Sequence, residues 1–217
     1  MARATTATSA LALTTIASLA AAQDQADLAK FQAFVRNSDA HKALISKALA
    51  ALPPTIFRRC PNLVSQGSKV TVLKPISFEP SGAPDAGAWK EAFPVAGCGN
   101  DTILNFFFNA AKGGKVDTFI GLPGATIADP LLQKDAMTGA LAAATRPETK
   151  DCKSLDVIDT AYLKETGAPV EGSKGPPWDE LWTFSACAAK VQVTLHFTPD
   201  PTGTSISASS SETKILK

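Results

Sequence analysis

The segment Trp89-Lys-Glu91-Ala-Phe93-Pro-Val95-Ala-Gly-Cys98 returns further along the chain as Trp178-Asp-Glu180-Leu-Trp182-Thr-Phe184-Ser-Ala-Cys187. Both read Trp-x-Glu-x-aromatic-x-apolar-x-x-Cys, and the match continues without a gap to Phe108 and Phe197. Two further blocks align in the same order. Ala48-Leu-Ala-Ala51 and Cys60 answer to Ala140-Leu-Ala-Ala143 and Cys152, and Val70 to Pro84 answers to Leu155 to Pro169. The spacing between blocks changes only in turn-rich connections, where insertions are tolerated. A shared order of helix, Cys, strand, Gly-Ala-Pro turn, Trp-x-Glu strand, Cys and strand points to an internal duplication.

A lone helix and a small sheet each bury one face, and two such units can share a core. The expected fold class is therefore α+β, with two pseudo-repeated halves. Each half is a helix plus an antiparallel sheet (α-β4), stapled by disulfides, and an N-terminal helix precedes the pair. The expected divisions are a signal peptide over 1–22, the N-terminal helix over 23–37, a first repeat over 38–121, a second over 122–209 and a flexible polar tail over 210–217.

Periodicity supplies the elements. Leu28, Phe31, Phe34 and Val35 lie at helical spacing. Ser38 or Asp39 caps a second helix that Pro53-Pro54 stops. Strands are expected over 70–78, 89–95, 102–108, 116–120, 155–163, 178–184 and 191–197, with a short one near 205–209. Pro75 predicts a bulge or an edge in the first of them. Asp129 followed by Pro130 is an N-cap with Pro at the first helical position. The connector 121–129 has no repeated counterpart and reads as the linker that a duplication requires, or as a binding loop.

Arg3, an apolar stretch over 9–19 and Ala20-Ala21-Ala22 before Gln23 form an export-signal pattern, too short and too weakly apolar to span a bilayer. No later stretch has the roughly 20 apolar residues that a span needs. The expectation is a soluble protein, secreted or periplasmic. Four cysteines fit an oxidising compartment. Locality favours pairing Cys60–Cys98 and Cys152–Cys187, each closing a loop of roughly forty residues worth about 4 kcal/mol in the chain-entropy account. A zinc site is the rival reading, but Cys-x-x-Cys spacing is missing and the only histidines are His41 and His196.

The 217 residues carry a net charge of +1, so there is no basic excess to neutralise phosphates and nucleic acid is not an expected partner. No nucleophile elbow, zinc-protease helix, phosphate loop or dinucleotide glycine pattern occurs, so neither a cofactor nor a metal is expected. Strand alternation places Trp89 and Glu91 on one apolar face, and Trp178, Glu180 and Trp182 on another. These five are the candidate binding residues, and no catalytic residue is assigned. A carboxylate on such a face needs a partner or a wet pocket. Either each Glu serves the fold by capping backbone or pairing with a cation, or the two line a pocket for acid/base work or for a cationic ligand. The favoured function is an exported, non-enzymatic binding or accessory protein whose partner is a small molecule or a protein. The alternative is a hydrolase using Glu91 or Glu180 in an aromatic-lined pocket. His196 stands alone on its strand, and Phe107 faces away from Phe106 and Phe108 and is expected to lie under the N-terminal helix.

Overall fold

The computed structural model describes residues 25–52, 64–97, 101–146, 148–187 and 189–216, with the backbone of 16–18. Among the described residues, three α-helices and two sheets make an α+β fold. In chain order the elements are β1 (Ile16–Ser18), α1 (Gln25–Asn37), α2 (Asp39–Ala50), β2 (Val64–Ser65), β3 (Lys69–Phe78), β4 (Pro84–Ala96), β5 (Thr102–Ala111) and β6 (Lys115–Ile120). After a connector come α3 (Pro130–Ala144), β7 (Leu155–Glu165), β8 (Trp178–Ala186), β9 (Ala189–Pro199), β10 (Thr204–Ala208), a single 3-10 turn (Ser210–Glu212) and β11 (Lys214–Leu216).

The first sheet runs β1-β3-β4-β5-β6, antiparallel except for β1 against β3, with β2 added to the far end of β4. The second is antiparallel throughout, β10-β9-β8-β7, with β11 on β9. Each sheet buries one face under helix and has its own apolar core. Phe31 and Phe34 of α1 and Ala48 of α2 meet Val70, Trp89, Phe106 and Phe108 in one core. In the other, α3 presents Ala136, Ala140, Ala143 and Ala144, small side chains that let the helix lie close over Trp182, Phe184, Val193 and Phe197.

The helix starts follow from their caps. Ser38 Oγ accepts from His41 N at 3.3 Å at the head of α2. Asp129 Oδ1 accepts from Leu131 N (2.9 Å) and Leu132 N (3.0 Å) at the head of α3, with Pro130 spending no donor.

Several expectations are corrected. β4 starts at Pro84 rather than near Trp89, because Gly87 lets the strand continue. Gly87 has φ +105°, and a side chain there would meet Pro75 O at 2.2 Å. β3 does carry register shifts on both sides of Pro75. Residues 210–216 of the polar tail form a 3-10 turn and the short strand β11. Ile215 pairs with Val191, and Thr213 Oγ1 donates to Ala143 O (3.2 Å), so backbone pairing outweighs the polar composition. Phe107 is buried, with Lys90 Nζ 5.4 Å from its ring centre and Gly121 against its edge, not beneath α1. Burial, and then the nearby charge of Lys69, pull the Lys90 amine below its ordinary pKa.

Cys152 and Cys187 form a disulfide with a Cα–Cα distance of 5.6 Å. Cys187 adopts φ +52° in the tight β8–β9 turn. Cys60 and Cys98 lie outside the described residues, as does most of the expected signal segment. No helix among the described residues is long and apolar enough to cross a membrane.

The connector 121–129 does more than join the two sheets. Gly121 N and Gly124 N donate to Asn105 O and Ile103 O of β5, both at 2.8 Å. Ala125 N donates to Thr160 O of β7. The buried Asn105 Nδ2 donates to Leu122 O (2.8 Å) and Gly124 O (2.9 Å), and the buried Thr160 Oγ1 donates to Pro123 O (2.7 Å). Thr102 Oγ1 reaches directly from β5 to Asp159 Oδ1 of β7 at 2.8 Å. Burial raises the Asp159 pKa, and the Thr102 hydroxyl opposes that shift. The segment is thus a strap stitched to both sheets. Gly124 sits where the stitching is tightest, at φ +101°, with Thr160 N and O each 2.2 Å from where a Cβ would be.

Gly124→Ala is expected to lower stability by about 3 kcal/mol, from strain plus displacement of the strap. Gly139→Ala, inside α3 with open space around it, is expected to raise stability by up to about 1 kcal/mol. Urea unfolding of both variants checks the contrast.

Candidate functional site

The paired strands place the repeated Trp and Glu side chains in closely similar settings. Trp89 lies opposite Phe108 and Trp178 opposite Phe197 across their ladders. The rings stack at 5.0 Å with 20° between planes in the first pair, and at 4.8 Å with 5° in the second. Each indole then donates to the carboxylate two residues on: Trp89 Nε1 to Glu91 Oε1 (2.9 Å), and Trp178 Nε1 to Glu180 Oε1 (3.0 Å). A spacing of two on a strand makes this possible, since both side chains leave the same face.

Glu180 is fully buried and satisfied at both oxygens. Its Oε1 also accepts from Ile127 N of the strap (3.0 Å), and its Oε2 accepts from Trp182 Nε1 (2.9 Å). Glu91 is equally buried, and its Oε1 is shared with His41 Nε2 of α2 at 2.7 Å. Its Oε2 has no hydrogen-bond partner. The difference is one residue: Phe93 occupies the position that corresponds to Trp182, so the second indole donor is missing. Indoles, one imidazole and one backbone N–H thus hold the two carboxylates, rather than Arg or Lys. The carboxylates belong to different sheets and do not converge on a common cavity.

Of the five candidate residues, Trp89, Glu91, Glu180 and Trp182 are fully buried, and Trp178 is half-buried. Trp178 forms part of the wall of a cavity of about 390 Å3 between the head of α3, β7 and the β9–β10 turn. Tyr162 and Ile127 line it as well, with the charged Asp129, Glu165 and Lys174. This volume lies in the range of small-molecule sites, and the mix of aromatic wall and a few charged groups is typical of them.

Sequence reasoning missed His41, Tyr162 and the strap contacts. Tyr162 is the only tyrosine in the chain, a signal that carried no position. The role of His41 depends on where α2 lies across the sheet, which no local spacing encodes.

His196 is not solitary either. Nδ1 lies 2.6 Å from Asp179 Oδ1 and Nε2 lies 3.1 Å from Glu212 Oε2, and the charged ring donates to both carboxylates, tying the 3-10 turn to β8 and β9. The Glu212 hydrogen bond, followed by that of Asp179, raises the His196 pKa, and burial opposes them weakly.

No protein family, curated protein or solved structure matches the chain.

Two predictions follow from these contacts. In Glu180→Gln, one of the two oxygens becomes an NH2 group facing an N–H donor, with an expected cost of about 3 kcal/mol. Glu91→Gln can turn its NH2 toward the unpartnered side and is expected to cost about 1 kcal/mol or less. Thermal melts of both variants compare them. The charged form of His196 is favoured in the fold, so its contribution is complete below the unfolded histidine pKa of about 6.5 and is lost as pH rises through the higher folded value. Amide exchange in 210–216 is therefore expected to accelerate selectively as pH is raised through the folded His196 pKa, after correction for intrinsic rates, and His196→Gln is expected to abolish that pH dependence.

Proposed function

We propose that this chain is an exported, non-enzymatic binding protein whose ligand is a small organic molecule held against Trp178. The observation that carries the reading is the cavity of about 390 Å3, whose wall includes Trp178, Tyr162 and a few charged side chains. The fixed roles of Glu91 and Glu180 support it. Both are buried and spent on indole, imidazole and backbone donors, which leaves them in the service of the fold rather than of a substrate. The leader pattern over 1–22 and the Cys152–Cys187 bond favour an oxidising compartment outside the cytosol, either the periplasm or the extracellular space.

The same proposal takes the two halves as copies of one segment. Its support is that the Trp–Glu hydrogen bond and the aromatic stack recur at matching ladder positions. Duplication then supplied a stable second sheet, and what distinguishes that half is a cavity with a tryptophan, Trp178, in its wall.

A fragment library screened by NMR against the full chain tests the reading. Expected are ligands that bind, return unchanged and shift the Trp178 indole signal. Turnover of a bound compound that disappears in Glu91→Gln or Glu180→Gln, in variants that remain folded, would instead establish the hydrolase.

A further inference from the structure

Each Trp–Glu unit has a cavity at the same place in its half. In the first half, the cavity of about 300 Å3 is bounded by Ser38 and Ala40 at the head of α2, and by Gly114 and Val116 at the last hairpin. In the second, Asp129 and Leu132 at the head of α3 and Pro199 and Thr204 at the last hairpin occupy those positions. The difference between them is α1. Phe34 lines the first cavity. Phe31 and Phe34 both meet Trp89 edge-on, at ring-centre distances of 5.4 Å and 6.1 Å with interplanar angles of 70° and 87°. Trp89 is sealed from solvent as a result.

The helix α3 has no such predecessor, because the segment before it is the extended strap. Trp178 keeps its stack on Phe197, and among the described residues no other ring packs on it. Part of its surface therefore faces the cavity instead of a phenylalanine. A hydrophobic indole surface with aromatic neighbours takes another ring edge-on or offset, and gains beyond simple area burial from doing so.

We infer that the cavity over Trp178 binds an aromatic ring, placed as the Phe31 and Phe34 rings are placed on Trp89, and that its ligand is a small aromatic molecule. This inference rests on the binding reading above and narrows it to a ligand class. Tyr162, 38% exposed, forms a second wall for the ring. The charged groups lining the cavity, Asp129, Glu165 and Lys174, carry one net negative charge. A ring bearing an ammonium group is therefore the suitable probe.

The test titrates the protein with 2-phenylethylammonium and, separately, with 2-cyclohexylethylammonium, which has the same charge and nearly the same size. The readout is the indole N–H resonances of Trp89, Trp178 and Trp182, each assigned by Trp→Phe substitution. The expected result is movement of the Trp178 resonance alone, binding of the aromatic probe about fivefold tighter than the cyclohexyl one, and at least a comparable loss in Tyr162→Ala. Tyr162 is exposed enough for that variant to fold, and its melting curve verifies this. Equal binding of the two probes at Trp178 overturns the aromatic class while leaving the binding site standing. No movement of the Trp178 resonance with either probe, or equal movement of all three resonances, overturns both.

Discussion

The strap over 121–129 is the constraint on which the rest of the structure depends. Two sheets with separate cores have little reason to stay together unless something crosses between them. Apart from the Thr102–Asp159 hydrogen bond, the crossing is made by backbone, and buried side chains hold that backbone: Asn105 from the first sheet, and Thr160 and Glu180 from the second. Gln133 of α3 completes the seam, with Oε1 accepting from Leu122 N (2.9 Å) and Nε2 donating to Ala128 O (2.8 Å). A chain segment cannot be buried without such partners, since each unpaired N–H or C=O is costly. The buried Asn105, Gln133, Thr160 and Glu180 are therefore explained by the strap they serve.

Glu180 links this seam to the candidate site. One carboxylate orients Trp178 toward the cavity, fixes Trp182 in the core and accepts from the strap at Ile127. The position of the cavity wall is thus coupled to the join between the sheets. Glu91 does the analogous work in the first half with one donor fewer, and the orphaned Oε2 marks where a phenylalanine stands in place of a tryptophan. The Trp-x-Glu spacing serves a physical end in both places: a ring pressed against its neighbour across the ladder, with its N–H anchored beneath.

Much of this could be read from the residues. Alternation gave the strands and their faces, Asp129-Pro130 gave the head of α3, and locality gave the Cys152–Cys187 pairing. Gly87 hid the true start of β4, because a glycine at positive φ reads as a turn whether or not the ladder continues through it. The strand β11 was not legible, because the polar composition of the tail says nothing of β9 running on past β10, where β11 pairs with it. The partners of the carboxylates stayed illegible for a more general reason. His41 and Ile127 lie far from Glu91 and Glu180 in sequence, and only the placement of α2 and of the strap brings them near. The exposure of Trp178 to its cavity was invisible for the same reason, since it depends on α1 packing over Trp89 while no such helix precedes α3.

Native-state hydrogen exchange of the strap amides tests the central claim most directly. Gly121, Gly124, Ala125 and Ile127 donate to β5, β7 and Glu180, so their amides are expected to exchange only through global unfolding, with the same opening free energy as core amides of β5 and β8. Fast exchange of these amides, with the two sheets opening at separate denaturant midpoints, would contradict the account.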